Sequence, residues 1–179
     1  MKTQIALIVG HEPGGGAEGE RLYNIKVRSL MATALVSLGL EVFLYDHKIK
    51  SYGARQDAMA AAVRAAQPNN KVCVELHYND VDDPQANGHQ FHYNARESLA
   101  RCFANAFQSK FPNSRPRQDK GIFHTPRGDG AGFLVKSPGA AVLTEPFFHS
   151  NPKENEFFKN HQEEVAMAYC SAIEAFLNL

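Results

Sequence analysis

Apolar residues run unbroken from Ile5 to Val9, a length that suits one buried strand. A glycine-rich stretch, Gly10 to Gly19, comes next. From Glu20 to Leu38 the residues Tyr23, Val27, Leu30, Ala34 and Leu38 recur at steps of three and four. That is helical spacing, and Gly39 supplies the left-handed residue that ends a helix. Glu41 to Tyr45 reads as a second strand, and Ala54 to Ala66 as a helix stopped by Pro68. In Val72 to His77 the alternation puts Val72, Val74 and Leu76 on one face and Cys73, Glu75 and His77 on the other. His89 to Tyr93 predicts a short edge strand, Ser98 to Phe111 a helix ended by Pro112, and Asn113 to Gly132 a long surface loop. Ala140 to Thr144 predicts a further buried strand, and helices over Pro152 to Phe158 and Gln162 to Leu177 close the chain.

Strands alternating with helices of this length imply an α/β fold, a mainly parallel twisted sheet with helices on both faces. The chain has 179 residues, no repeats and no linker, so one domain over residues 1–179 is expected. Lysine plus arginine equals aspartate plus glutamate, 19 each. A neutral chain has no global field to gather nucleic acid, so that partner is disfavoured. Its early apolar run is too short for a membrane span or a secretory signal peptide, which predicts a protein that is cytoplasmic at synthesis. The three cysteines, Cys73, Cys102 and Cys170, are far apart and form no CxxC pair, so a reducing compartment suits them and no disulfide is expected.

In parallel sheets ligands bind outside the carboxyl ends of the strands. His11 succeeds the first strand, His77 ends the third, Glu145 ends the strand that begins at Ala140, and Glu20 opens the first helix. All four gather along one sheet edge in this reading. Two histidines and a carboxylate suit zinc with a fourth position open to water, and the remaining carboxylate suits a general base. Each has a plainer alternative: a turn residue for His11, a satisfied strand-end histidine for His77, a solvated first-turn carboxylate for Glu20. Glu145 directly continues an apolar strand, where an unpaired charge is costly. Glu75 raises the same question from inside its strand, and either orients a metal ligand or lies open to water at an edge.

Competing motifs are present. Gly14, Gly16 and Gly19 spell GxGxxG between a strand and a helix, with Asp46 closing the next strand, the outline of a dinucleotide site. His11, Glu12 and Pro13 intervene between strand and glycines, and this reading gives His77 and Glu145 no task. His89 and His92, three apart on a strand, point to opposite faces and make a poor metal pair. His47, His149 and His161 fall in loops or at helix starts, where solvation is the default, and His124 is placed to line a cleft.

The segment IVGHEPGGGAEGERLYN resembles the opening strand and loop of the zinc-dependent N-acetylmuramoyl-L-alanine amidases of the amidase-3 type, through His11, Gly16, Ala17, Glu20 and Asn24. Arg55 resembles that family's arginine on the next helix. VELHYN resembles its strand ending in His-x-Asn, here His77 and Asn79, and Gly88 and Tyr93 fit the family's glycine and aromatic beyond that strand. AVLTEPFFHSNPKE resembles the segment bearing its catalytic glutamate, here Glu145, with Ser150 and Asn151 trailing. The resemblance implies one zinc ion per chain held by His11, Glu20 and His77, with Glu145 as general base and acid. The implied substrate is peptidoglycan, cut at the amide between the lactyl group of N-acetylmuramic acid and L-alanine. Residues 80–93 and 113–137 flank the site, with Asn79, Arg115, Arg117 and Arg127 as candidate substrate contacts. With neither an export signal nor a wall-binding module expected, a phage-type lysin released to the wall fits. A nucleotide-binding α/β protein using the Gly14–Gly19 loop and another zinc peptidase or deacylase are the alternatives.

Overall fold

Twelve elements alternate along the chain in a computed structural model that describes residues 3–128 and 130–179. They are β1 (Gln4–Val9), α1 (Glu20–Ser37), β2 (Glu41–Asp46), α2 (Tyr52–Ala66), β3 (Asn70–Leu76) and β4 (Gln90–Tyr93), then α3 (Glu97–Lys110), β5 (Ile122–His124), α4 (Ala131–Lys136), β6 (Ala140–Glu145), α5 (Pro152–Lys159) and α6 (Gln162–Leu177). The six strands form one sheet in the order β2-β1-β3-β6-β4-β5. Strands β2, β1, β3 and β6 pair in parallel; β4 runs antiparallel to β6 and parallel to β5.

Period-two alternation divides the core between the two sheet faces. Ile5, Leu7, Val72, Val74 and Leu76 face a cluster that includes Val27 and Met31 of α1, Phe103 and Phe107 of α3 and Tyr169 and Ile173 of α6. Ala6, Ile8, Cys73, Ala141 and Leu143 face Met59, Ala60 and Val63 of α2 and Phe133 and Leu134 of α4. Phe91 on β4 anchors the first layer, its ring 5.8 Å from Phe103, 5.7 Å from Phe107 and 6.0 Å from Tyr169. Truncating such a ring costs about 3–5 kcal/mol.

Local chemistry sets the helix ends. At the end of α1, Gly39 (φ 81) donates to Val36 and Leu40 donates to Leu35, a Schellman turn that needs the left-handed residue glycine supplies. At the start of α5 the Asn151 side chain accepts from the amides of Lys153 and Glu154, with Pro152 in the first turn.

Two expectations need correction. The strand near His89–Tyr93 is not at the edge, because β5 pairs beyond it. The stretch Asn113–Gly132, which the pattern reads as a surface loop, also holds the three-residue β5 and the start of the six-residue α4. Elements this short carry too few periods to show in a pattern. No helix is long and apolar enough to cross a membrane, among the described residues.

Candidate metal centre and cleft

Register brings the chemistry together. In the parallel ladder Val9 lies beside Leu76 and Leu76 beside Thr144, so His11, His77 and Glu145 leave the sheet from neighbouring strands. The Gly10 amide donates to the Leu76 carbonyl (2.9 Å) and the His77 amide to Thr144 (3.1 Å), which carries the ladder up to the site. His11 itself adopts φ 62. A non-glycine residue pays for that conformation with strain on the order of 1 kcal/mol, and such outliers cluster at working sites.

Glu20 enters from the first residue of α1 and is 2% exposed. Its Oε1 lies 3.0 Å from His77 Nδ1 and 3.5 Å from His11 Nε2. One ligand atom from each of His11, Glu20 and His77 falls within 4.8 Å of the others, and the two imidazoles meet edge to face at 4.8 Å. Backbone amides complete the cradle: Ala17 donates to Glu20 Oε2 (3.0 Å) and Tyr78 to Oε1 (3.3 Å). Two glycines make room for it. A Cβ on Gly10 would sit 2.1 Å from His77 Cε1, and one on Gly16 would sit 2.7 Å from both Glu20 Oε2 and His11 Cδ2. Two imidazole nitrogens and a carboxylate, drawn from three separate elements onto one point, are a donor set that fits zinc.

Behind His77 stands Glu75, also 2% exposed. Its Oε2 is 3.4 Å from His77 Nε2, and its Oε1 is 2.8 Å from Nε2 of His47 and 3.4 Å from Nε2 of Gln56. Burial opposes ionisation of Glu75, but the hydrogen bonds from His47 and His77 outweigh it and hold the carboxyl well below its usual range. Burial also disfavours charge on His77, yet Glu20 and Glu75 on either side push its pKa up to about 10. The pocket is built to hold positive charge. For His11, burial and the neighbouring His77 lower the pKa, which favours the neutral ring that a metal requires.

Glu145 closes β6 with its side chain 19% exposed. Its Oε2 accepts from Asn79 Nδ2 (2.8 Å) and from Gln90 Nε2, and lies 3.3 Å from His92 Nε2. Burial works against the carboxylate, but His92 and Gln90 prevail and lower its pKa. With Oε2 held by two amides, Oε1 is the oxygen left for chemistry. A cavity of about 370 Å³ joins these groups and is lined by His11, His77, His92, Glu145, Tyr52 and Arg55 among others. Arg55 is paired with Glu12 of the glycine loop.

The structure thus gathers His11, Glu20, His77, Glu75, Asn79 and Glu145 in one place. Arg115 and Arg127 are exposed and do not line the cavity. His47 departs from expectation: it is fully buried against Glu75 rather than solvated. His124 is exposed and meets Tyr93, while His92, half of a poor metal pair by its spacing, faces Glu145. The expectation that His89 and His92 point apart does hold, since His89 packs on Phe107. The signal for His92 and Gln90 is their alternation along β4, which requires knowing that β4 lies beside β6.

The glycine loop does not offer a nucleotide cradle. The Glu20 carboxylate already occupies the amide of Ala17 at the head of α1. Asp46, the acid a ribose would need, is engaged by Arg21 (2.9 Å) and Arg28 (3.2 Å).

The fold is shared with solved structures of low sequence identity. The N-acetylmuramoyl-L-alanine amidase AmiC2 of Nostoc punctiforme superposes with a TM-score of 0.82 at 22% identity, covering 100% of this chain and 99% of that one. The catalytic domain of CwlV, an N-acetylmuramoyl-L-alanine amidase from Bacillus (Paenibacillus) polymyxa var. colistinus, gives 0.79 at 21% identity over 98% of both chains. The catalytic domain of the CD27L endolysin targeting Clostridia difficile gives 0.78 at 22%, over 98% of this chain and 97% of that one. No curated protein sequence matches the chain. A family described as N-acetylmuramoyl-L-alanine amidase matches residues 5–175, a span that contains every site residue named above, and the chain belongs to that family.

Proposed function

We propose that this amidase is zinc-dependent and cuts the amide between the lactyl group of N-acetylmuramic acid and L-alanine of peptidoglycan. The convergence of His11, Glu20 and His77 within 4.8 Å supports it above all else. These three residues would hold one zinc ion in this reading, with the His77 ring anchored by Glu75 at Nε2. Glu75 thereby fixes the ring and its tautomer. Zinc, when bound, supplies the Lewis acidity that polarises the lactyl carbonyl and makes water a stronger acid.

The chain's own residues do the rest. Asn79 and Gln90 grip Oε2 of Glu145, and His92 and Gln90 hold its pKa down, so Oε1 can take a proton from the attacking water. The same oxygen then returns a proton to the alanine nitrogen as the C–N bond breaks. Tyr52 and Arg55 wall the cavity that holds these groups. Arg115 and Arg127, exposed on the excursion between α3 and β6, serve as outer contacts for stem carboxylates.

Glu145→Ala tests the division of labour. It should retain fold and one zinc ion per chain while losing turnover about 10²- to 10⁴-fold. Wild-type rates in that variant would remove Glu145 from the chemistry.

A further inference from the structure

Amide hydrolysis at neutral pH ends in a carboxylate and an ammonium, so both protons of the attacking water finish on the departing nitrogen. A single carboxylate carries one proton at a time. We propose that His92 is the second proton holder, working through Glu145; this rests on the amidase reading above.

The ring is fixed on two sides. It stacks on Phe123 of β5, with centroids 5.1 Å apart at 26°, and its Nδ1 lies 2.8 Å from the Thr125 hydroxyl. Its Nε2 edge faces the cleft, 3.3 Å from Glu145 Oε2 and 3.1 Å from Gln90 Nε2, with the side chain 15% exposed. Gln90 has two N–H groups. One is given to Glu145 Oε2 and the other is aimed at His92 Nε2.

The N–H groups of the ring find acceptors in both charge states without moving it, while the second Gln90 N–H has its acceptor only when His92 Nε2 is unprotonated. Neutral His92 donates Nδ1–H to Thr125 and accepts from Gln90 at Nε2. Protonated His92 donates Nε2–H to Glu145, whose Oε2 keeps its bonds from Asn79 and Gln90. Among the described residues, Glu145 is the one charged group paired with this ring. Phe123 and Thr125 face it from β5 and just beyond, and Gln90 from its own strand. His124 turns to Tyr93 instead. Further titratable or charged groups lining the cleft are His11, Tyr52, Arg55, Glu75 and His77.

The balance is simple. Water loses its first proton to Glu145 Oε1 as its oxygen bonds the lactyl carbon. The C–N bond then breaks, its electron pair stays on nitrogen, and Glu145 gives nitrogen that proton. The second proton, lost when the new lactyl carboxyl ionises, goes to the Glu145–His92 pair and rests on Nε2 until the amine takes it.

Steady-state kinetics of the zinc-loaded protein on a soluble muramyl peptide test this. His92→Gln should keep fold, zinc content and KM within about twofold, lose kcat about 10- to 100-fold, and lose one limb of the kcat–pH profile. His92→Gly should behave alike but regain part of kcat with added imidazole, whereas His92→Gln should not. Wild-type kcat and profile in His92→Gln overturn the proposal. So does a loss that leaves the profile's shape unchanged and that imidazole does not relieve in His92→Gly. Should both variants misfold, Thr125→Val serves, since it removes only the Nδ1 partner; a several-fold lower kcat with an altered profile supports the role, and an unchanged profile overturns it. If the wild-type protein frees no alanine amino terminus, the amidase reading fails and takes this proposal with it, an outcome distinct from a silent His92 variant.

Discussion

His47 meets Glu75 at 2.8 Å, Nε2 to Oε1, where the two side chains are 0% and 2% exposed. The other carboxylate oxygen of Glu75 faces His77, so a polar chain runs from the proposed zinc site into the interior. Removing His47 takes one hydrogen-bond donor from a buried carboxylate that keeps Gln56 and His77, at a cost of about 1.5–3 kcal/mol. His47→Leu should lose that much in urea unfolding. It should also weaken zinc binding by roughly 10- to 100-fold in competition with a chromophoric chelator, because Glu75 no longer fixes His77. His47→Gln, which still offers an N–H, should recover most of both.

Gly10 is the close neighbour of the His77 ring. A methyl group there displaces the imidazole without touching any ligand chemically. For the wild type, zinc at 100 times its dissociation constant should add about 2.7 kcal/mol of stability, visible as a raised Tm. Gly10→Ala should lose about 1–3 kcal/mol from crowding and show no zinc-dependent rise. A full zinc response in that variant would mean that His77 is not a ligand.

Most elements are legible in the sequence because β1, β3 and β6 are buried on both faces and read as near-continuous apolar runs. The convergence of His11, His77 and Glu145 comes from strand ends, and that of Glu20 from the head of α1, given a parallel sheet. His47 is not legible: it sits just past the end of β2, a position that looks solvated until the fold places it beside Glu75. The roles of His92 and Gln90 depend on β4 pairing antiparallel with β6, and a four-residue strand does not announce its neighbour.

Gln90 and His92 together offset the effect of burial on Glu145. Replacing Gln90 with leucine removes one of the two amides on Oε2, so the carboxyl should protonate more easily. The proposed mechanism needs the ionised base, so the loss of activity on acidification should begin at higher pH in Gln90→Leu. Measuring kcat/KM against pH for both proteins checks this; an acid limb that stays in place or moves lower would contradict it.

His89 supplies a stability switch away from the chemistry. Its ring is fully buried beside Phe107 and bonds Ser114 (2.9 Å), and burial pushes its pKa from 6.5 down to about 4. The folded ring stays neutral while the unfolded one takes a proton below 6.5. Its contribution is therefore complete above pH 6.5 and falls away as pH drops towards 4, by on the order of 3 kcal/mol. Unfolding in urea at pH 7 and at pH 4.5 should show this loss in the wild type. His89→Gln, though less stable at pH 7, should show a smaller difference between the two.

A zinc ion clamped by His11, Glu20 and His77 should serve the cut between muramic acid and alanine, and every role assigned to Glu145, Glu75 and His92 depends on it. Mass spectrometry of peptidoglycan fragments, after digestion by the purified protein with and without a chelator, tests it most directly. The expected products are free stem peptides with L-alanine amino termini and intact glycan strands, abolished by the chelator and restored by zinc. New reducing sugar ends, or the same peptides released undiminished with the metal stripped away, would contradict it.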